Sequence, residues 1–201
     1  MKGLLLVIEG MDGLGKSTQA KLLFNYLKEK GKDVILTSEP TDGKIGKLLR
    51  EFYLKKVDIP AVDAFLFCAD REEHLKTVVL PALAEGKTVI SDRYYHSTLA
   101  YQSTQGLELN WLIGMNKFFI KPDLTIILDS SPEKCIERIE QDNKRKIEGK
   151  FKFEKIEFLK KLRTVYLKLP DVLKDEKIVV VNGDRTNTEI HKEIVKEVSK
   201  L

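Results

Sequence analysis

The run Gly10-Met11-Asp12-Gly13-Leu14-Gly15-Lys16-Ser17, with Thr18 behind it, fits the pattern G-x-x-x-x-G-K-[ST] at every fixed position. Such a run can hold a chain of phosphates. Glycines let the backbone curl until several N–H groups point at one anion. A following helix adds the positive end of its dipole. Lys16 brings a compact cation to the β- and γ-phosphates, and the Ser17 hydroxyl is a ligand for Mg²⁺.

Other residues could serve a second substrate. Asp92-Arg93 follows an apolar run. An Asp there can hold Mg²⁺ through water opposite Ser17, and Arg93 can fork onto phosphate oxygens in transit. A simple ion pair at a strand end is the alternative. Phe67 and Arg71 are four apart, so on a helix they share a face. A ring with a guanidinium one turn away could stack a base and read its edge, or could merely pack. Tyr101 and Gln102 follow on the next helix. Gln102 offers both a donor and an acceptor to a pyrimidine edge, and Tyr101 could close one side of a sugar. Both also suit an ordinary helix surface. Arg50 lies on a helix with Lys44 and Lys47.

The elements that must position these groups are legible as alternating periodicities. Strands are expected at 4–9, 33–38, 87–91, 124–129 and 177–181, each short and rich in Val, Ile and Leu. Helices are expected at 16–30, 44–55, 61–84, 95–105, 108–119, 132–141, 153–169 and 186–200. Pro60, Pro122, Pro132 and Pro170 fall at the edges of these elements. Strands alternating with helices predict an α/β fold with a parallel sheet covered on both faces. Ligands then bind beyond the carboxyl ends of the strands. That is where the phosphate loop, Ser38-Glu39-Pro40, Asp92-Arg93-Tyr94 and Asn182-Gly183-Asp184-Arg185 fall.

Composition narrows the class. The chain has 201 residues, 42% of them hydrophobic and 33% charged, which fits one α/β domain over 1–201. A net charge of +4 gives little reason to expect a nucleic-acid polymer as partner. No apolar run approaches the ~20 residues that span a bilayer. Leu4–Ile8 is too short for a signal peptide and is followed by Glu9 and Asp12. Cys68 and Cys135 have no metal-ligand spacing and read as small buried hydrophobes in a reducing compartment. A cytoplasmic location is expected. Residues 141–150 are polar and lysine-rich and read as a loop or short helical lid, about 141–152 in all.

Asp12 in the loop, Glu39-Pro40, Phe67-x-x-x-Arg71, Asp92-Arg93-Tyr94, Ser97, Ala100-Tyr101-Gln102 and Lys121-Pro122-Asp123-Leu124 together resemble the thymidylate kinase family. The likeness runs along essentially the whole chain. It implies a three-layer P-loop kinase fold with a five-stranded parallel sheet and a lid. It also implies Mg²⁺-dependent transfer of the ATP γ-phosphate to dTMP, giving dTDP, and a homodimer packed through helices. Residue by residue, it places Asp12 near the deoxyribose 3′-hydroxyl and Arg50 and Arg93 on the acceptor phosphate. Phe67 would stack on thymine, Arg71 and Gln102 would bond its edge, and Tyr101 would disfavour a ribose 2′-hydroxyl. ATP would lie on residues 10–18 and Arg138, with Ser17 and Asp92 as metal ligands. Family members carry a catalytic arginine either in the loop or in the lid. The loop position here is Gly13, so the resemblance assigns the charge to the lid, with Arg145 first among Lys144, Lys146 and Arg138. Two alternatives stay open: a kinase with another nucleotide or nucleoside acceptor, and a nucleotide-dependent switch. The lack of an N/T-K-x-D guanine-reading motif disfavours a GTPase.

Overall fold

A computed structural model describes residues 3–54, 59–143 and 149–201. Its order is β1 (Leu5–Gly10), α1 (Lys16–Glu29), β2 (Val34–Ser38), α2 (Lys44–Leu54), α3 (Pro60–His74), a π-helical segment (Leu75–Val79), α4 (Leu80–Ala84) and β3 (Thr88–Asp92). It continues with α5 (Tyr95–Thr104), α6 (Leu109–Asn116), β4 (Leu124–Asp129), α7 (Pro132–Asn143), α8 (Gly149–Val172), β5 (Ile178–Asn182) and α9 (Asn187–Val198). The five strands form one parallel sheet in the order β2-β3-β1-β4-β5, flanked by helices, as the sequence predicts. β1 is buried along its whole length because it has a strand on each side and helices on each face. The edge strands β2 and β5 are only partly buried.

Register aligns the functional ends. Ile8 pairs with Asp92, Ser38 with Asp92, Gly10 with Leu128 and Asp129 with Asn182. The segments leaving β1, β2, β3, β4 and β5 therefore emerge along one edge of the sheet, where an open α/β fold binds ligands.

Two expectations need correction. The helix over 61–84 is not uniform. Its ladder widens to a π segment at Leu75–Val79 just ahead of Pro81, which has no N–H to give to the regular ladder. Pro170 does not end its helix: α8 runs on to Val172. Leu169 and Leu173 are buried, and the Leu173 N–H reaches the Leu169 carbonyl at 2.8 Å, so core packing holds the last turn. Of the two cysteines, Cys135 is buried and burial pushes its thiol up to about 11, while Cys68 is half-buried.

Helix α5 starts without a side-chain cap of its own. Instead Glu9, at 0% exposure, accepts from the N–H groups of Tyr94 at 2.8 Å and Ser97 at 3.1 Å. It also accepts from the Ser97 hydroxyl at 2.7 Å and the Tyr166 hydroxyl of α8 at 3.0 Å. A buried carboxylate persists only when paired in this way. One side chain thereby joins β1 to the first turn of α5 and to α8.

Candidate active site

The loop between β1 and α1 is built for an anion. Gly10, Gly13 and Gly15 all take positive φ, at 134°, 81° and 73°. Gly15 caps α1 with no side-chain hydrogen bond, so the first-turn N–H groups keep no side-chain acceptor at the cap. At Gly13 a Cβ would meet the Cys135 carbonyl oxygen at 2.6 Å. With that wall and a left-handed backbone, a side chain here would have to displace the Cys135 backbone, so glycine is the residue that fits.

Lys16 is nearly buried. Its Nζ donates to the Met11 carbonyl at 2.8 Å and lies 3.8 Å from Asp12. Burial, and then the neighbouring Arg93 cation, lower its pKa to about 8. Arg93 has φ 74°, uncommon for a residue with a side chain. That conformation turns its guanidinium back over the loop. It donates to Asp12 at 2.5 Å, the Gly10 carbonyl at 3.3 Å and the Ser97 hydroxyl at 2.9 Å, with the Tyr101 ring centroid 5.4 Å from its Cζ. Burial opposes the Arg93 charge, but Tyr101, Tyr166, Asp12 and Glu9 hold its pKa above the usual arginine value. For Asp12, burial works upward, yet Arg93 and Lys16 keep its carboxyl below the usual range. The Ser17 hydroxyl donates to Asp92 Oδ2, while Asp92 Oδ1 is buried with no hydrogen-bond partner among the described residues.

Two clefts meet at this loop. One, of about 270 Å³, is lined by Asp12, Phe67, Arg71, Arg93, Tyr101 and Gln102, together with Glu39, Pro40, Tyr94 and Ser97. Arg71 is buried and clasped: its Nε donates to Glu39 at 2.8 Å, Nη1 to Asn116 at 2.9 Å and Nη2 to Thr98 at 3.2 Å. Gln102 Nε2 donates to Gln105 at 2.9 Å, while its buried Oε1 has no donor among the described residues. Arg50 is not in this wall. Its guanidinium clasps the Pro40 and Thr41 carbonyls at 3.0 and 2.5 Å and Asp42 at 2.6 Å. The other cleft, of about 380 Å³, is lined by Gly13–Gly15, Thr18, Arg138, Gln141, Arg185, Thr186 and Asn187. Arg138 donates to the Gly183 carbonyl at 2.9 Å. Arg145, Lys144 and Lys146 lie outside the described residues.

A family model described as thymidylate kinase matches residues 8–194. The chain is 45% identical to a probable thymidylate kinase of Pyrococcus horikoshii over 97% of its own length and 95% of that protein. It is 45% identical to a probable thymidylate kinase of Thermococcus gammatolerans over 96% of its length and 94% of that protein. A thymidylate kinase of Maridesulfovibrio salexigens is 41% identical over 96% and 94%.

The chain belongs to the thymidylate kinase family. It is therefore an enzyme of a phosphoryl-transferring class, and its sheet fits the P-loop kinase fold. No helix among the described residues is long and apolar enough to cross a membrane.

For a member of the thymidylate kinase family, the sequence already names most of the residues that line the two clefts. It missed the residues behind them. Glu9, Asn116, Thr98, His74 and Tyr166 touch the lining residues from behind, and only Glu9 carried a local hint, an acid ending an apolar run. Asn182-Gly183-Asp184-Arg185 was placed correctly at a strand end, but Asn187 gave no signal in the sequence.

Proposed function

We propose that this chain transfers the γ-phosphate of ATP to dTMP, giving dTDP and ADP. An oxygen of the dTMP phosphate bonds to the γ-phosphorus while the bond from that phosphorus to the bridging oxygen breaks, and the bridging oxygen leaves with ADP. The observation that carries this reading is the adjacency of the clefts. Asp12 walls one and Gly13, the next residue, walls the other. Two nucleotides seated there would meet tail to tail over Lys16 and Arg93, and positioning with fixed charge does most of the work in phosphoryl transfer.

ATP is assigned to residues 10–18 and Arg138. Arg93 takes the acceptor phosphate, Asp12 the sugar side, and Phe67 the face of thymine. Gln102 Oε1 needs a donor, and thymine offers its N3–H where cytosine has none. Tyr101 stands against a ribose 2′-hydroxyl. Arg50, assigned by resemblance to the acceptor phosphate, holds the loop at Pro40–Asp42 in the described geometry and would reach the phosphate only by releasing it. Mg²⁺ fits Ser17 and Asp92: both are hard oxygen donors, and Asp92 Oδ1 has no hydrogen-bond partner among the described residues. When bound it would neutralise phosphate charge. With glycine at position 13, the family resemblance assigns the remaining cation to Arg145 in a lid at about 141–152 of a single domain. The proposed setting is cytoplasmic.

Measuring ADP release across the common monophosphates tests the acceptor. dTMP should be used best, and equal or better use of UMP or CMP would overturn the assignment. We also infer a homodimer through α3 and α6. Phe65 and Trp111 stack edge-on at 5.8 Å in an exposed pair, and Phe118 is 66% exposed nearby in sequence. Sedimentation should give twice the 23.0 kDa chain mass, and a monomer at that mass would refute it.

A further inference from the structure

Glu39 is a buried acid at the carboxyl end of β2, and its two oxygens are divided between two residues of one helix. Oε2 accepts from Arg71 Nε at 2.8 Å, and Oε1 lies 3.1 Å from His74 Nδ1. Arg71 and His74 are three apart on α3, so they share a face and straddle the carboxylate. A carboxylate can only accept, so Nδ1 carries a proton. His74 Nε2 in turn lies 2.7 Å from the Thr37 hydroxyl on β2. The chain Thr37–His74–Glu39–Arg71 is thus continuous, and its members are buried from His74 onward. Arg71 and Glu39 line the acceptor cleft; His74 does not, and faces a separate hollow beside β2.

We propose that His74 is a positioning residue for the acceptor base. It fixes the Glu39 carboxylate, which fixes the plane of the Arg71 fork, so that the remaining N–H groups of Arg71 meet a carbonyl on the base at one angle. This rests on the reading above that the cleft takes dTMP with Arg71 at the base edge. A guanidinium so held donates to a ring carbonyl and rejects an exocyclic amino group, which brings its own N–H donors. Asn116 and Thr98 hold the two Nη groups, and Glu39, steadied by His74, fixes the third point at Nε. With His74 removed, Glu39 Oε1 loses its donor, the carboxylate gains a rotation, and the fork tilts about its Asn116 and Thr98 anchors. The base contact is remote from the transferred phosphate, so its loss should weaken acceptor binding without slowing the chemical step.

The test uses the whole chain with dTMP, dCMP and ATP. His74→Leu keeps the bulk and removes the donor. His74→Asn keeps an N–H where the imidazole Nδ1 stands. The Leu variant should raise KM for dTMP several-fold, to at most about tenfold, the worth of the one Arg71–base hydrogen bond that is misaligned. It should also lower the preference for dTMP over dCMP by a similar factor, with kcat within about twofold and KM for ATP unchanged. The Asn variant should recover most of both. An unchanged KM and preference in the Leu variant, a loss shared equally by kcat and the ATP KM, or an Asn variant no better than Leu would overturn the role. If the Leu variant does not fold, Thr37→Val decides the question. It strips only the outer bond and should move the same two quantities about threefold; no movement overturns the proposal. A wild-type chain that fails to use dTMP would fault the acceptor assignment itself. A wild type that uses dTMP beside an unaltered Leu variant would fault only the part given to His74.

Discussion

Arg93→Ala should lower turnover about a thousandfold while the chain keeps its fold. The geometry sets both halves of that expectation. Arg93 touches the loop through Asp12 and Gly10 and the acceptor side through Ser97 and Tyr101, so its cation sits between the two clefts. A preorganised arginine facing charge that develops in phosphoryl transfer is worth roughly 10³–10⁵ in rate. The fold should survive because the partners are not stranded. Asp12 keeps Lys16 at 3.8 Å, and Ser97 keeps Glu9. Alanine retains a Cβ, so the left-handed backbone at 93 carries the same cost before and after. Arg93→Lys should recover only a small part, since an ammonium cannot span the same three acceptors in a planar fork. Steady-state ADP release with a thermal melt on each variant checks this. Turnover near that of the wild type would remove Arg93 from the mechanism.

Lys16→Ala should cost about two to three orders of magnitude in turnover and leave the melting temperature nearly unchanged. Its Nζ is held over the loop by the Met11 carbonyl, where a β- or γ-phosphate oxygen can replace or join that acceptor. The same burial that makes this charge effective also makes it titratable. With a pKa of about 8 in the free protein, Lys16 sheds its proton as pH rises through that value. Capture of ATP by the free enzyme, kcat/KM for ATP, should therefore fall above about pH 8. A bound triphosphate favours the cation, so kcat at saturating ATP should hold to higher pH. A kcat/KM that stays flat through this range, or an alanine variant that turns over normally, would contradict the assigned charge.

What could be read from the sequence depended on how local the cause was. The phosphate loop was legible because its glycines and its lysine act within eight consecutive residues. The strands were legible because parallel, doubly covered strands must be apolar runs. Helix 61–84 was found but not its π segment, since Pro81 announces a disturbance without saying which ladder absorbs it. The support behind the clefts was not legible. Glu9 and Tyr166 are 157 positions apart, Arg71 and Asn116 are 45 apart, and no periodicity links them. Nor does anything around Arg93 announce a positive φ, because the residue is neither glycine nor asparagine. Arg50 shows the opposite failure. Its type and place suit a phosphate, but nearby carbonyls at Pro40 and Thr41 compete for it.

Glu9 fastens the strand that leads into the phosphate loop to the opening turn of the helix that carries Ser97, Tyr101 and Gln102. On the proposed reading, donor and acceptor halves of the reaction centre hang from a common pivot rather than from separate mounts. Their relative alignment is inherited from a joint deep in the sheet and does not have to be re-established each time a nucleotide arrives. It also follows that acceptor preference is open to change through side chains further along α5, whereas shifting the helix itself would drag the phosphate loop with it.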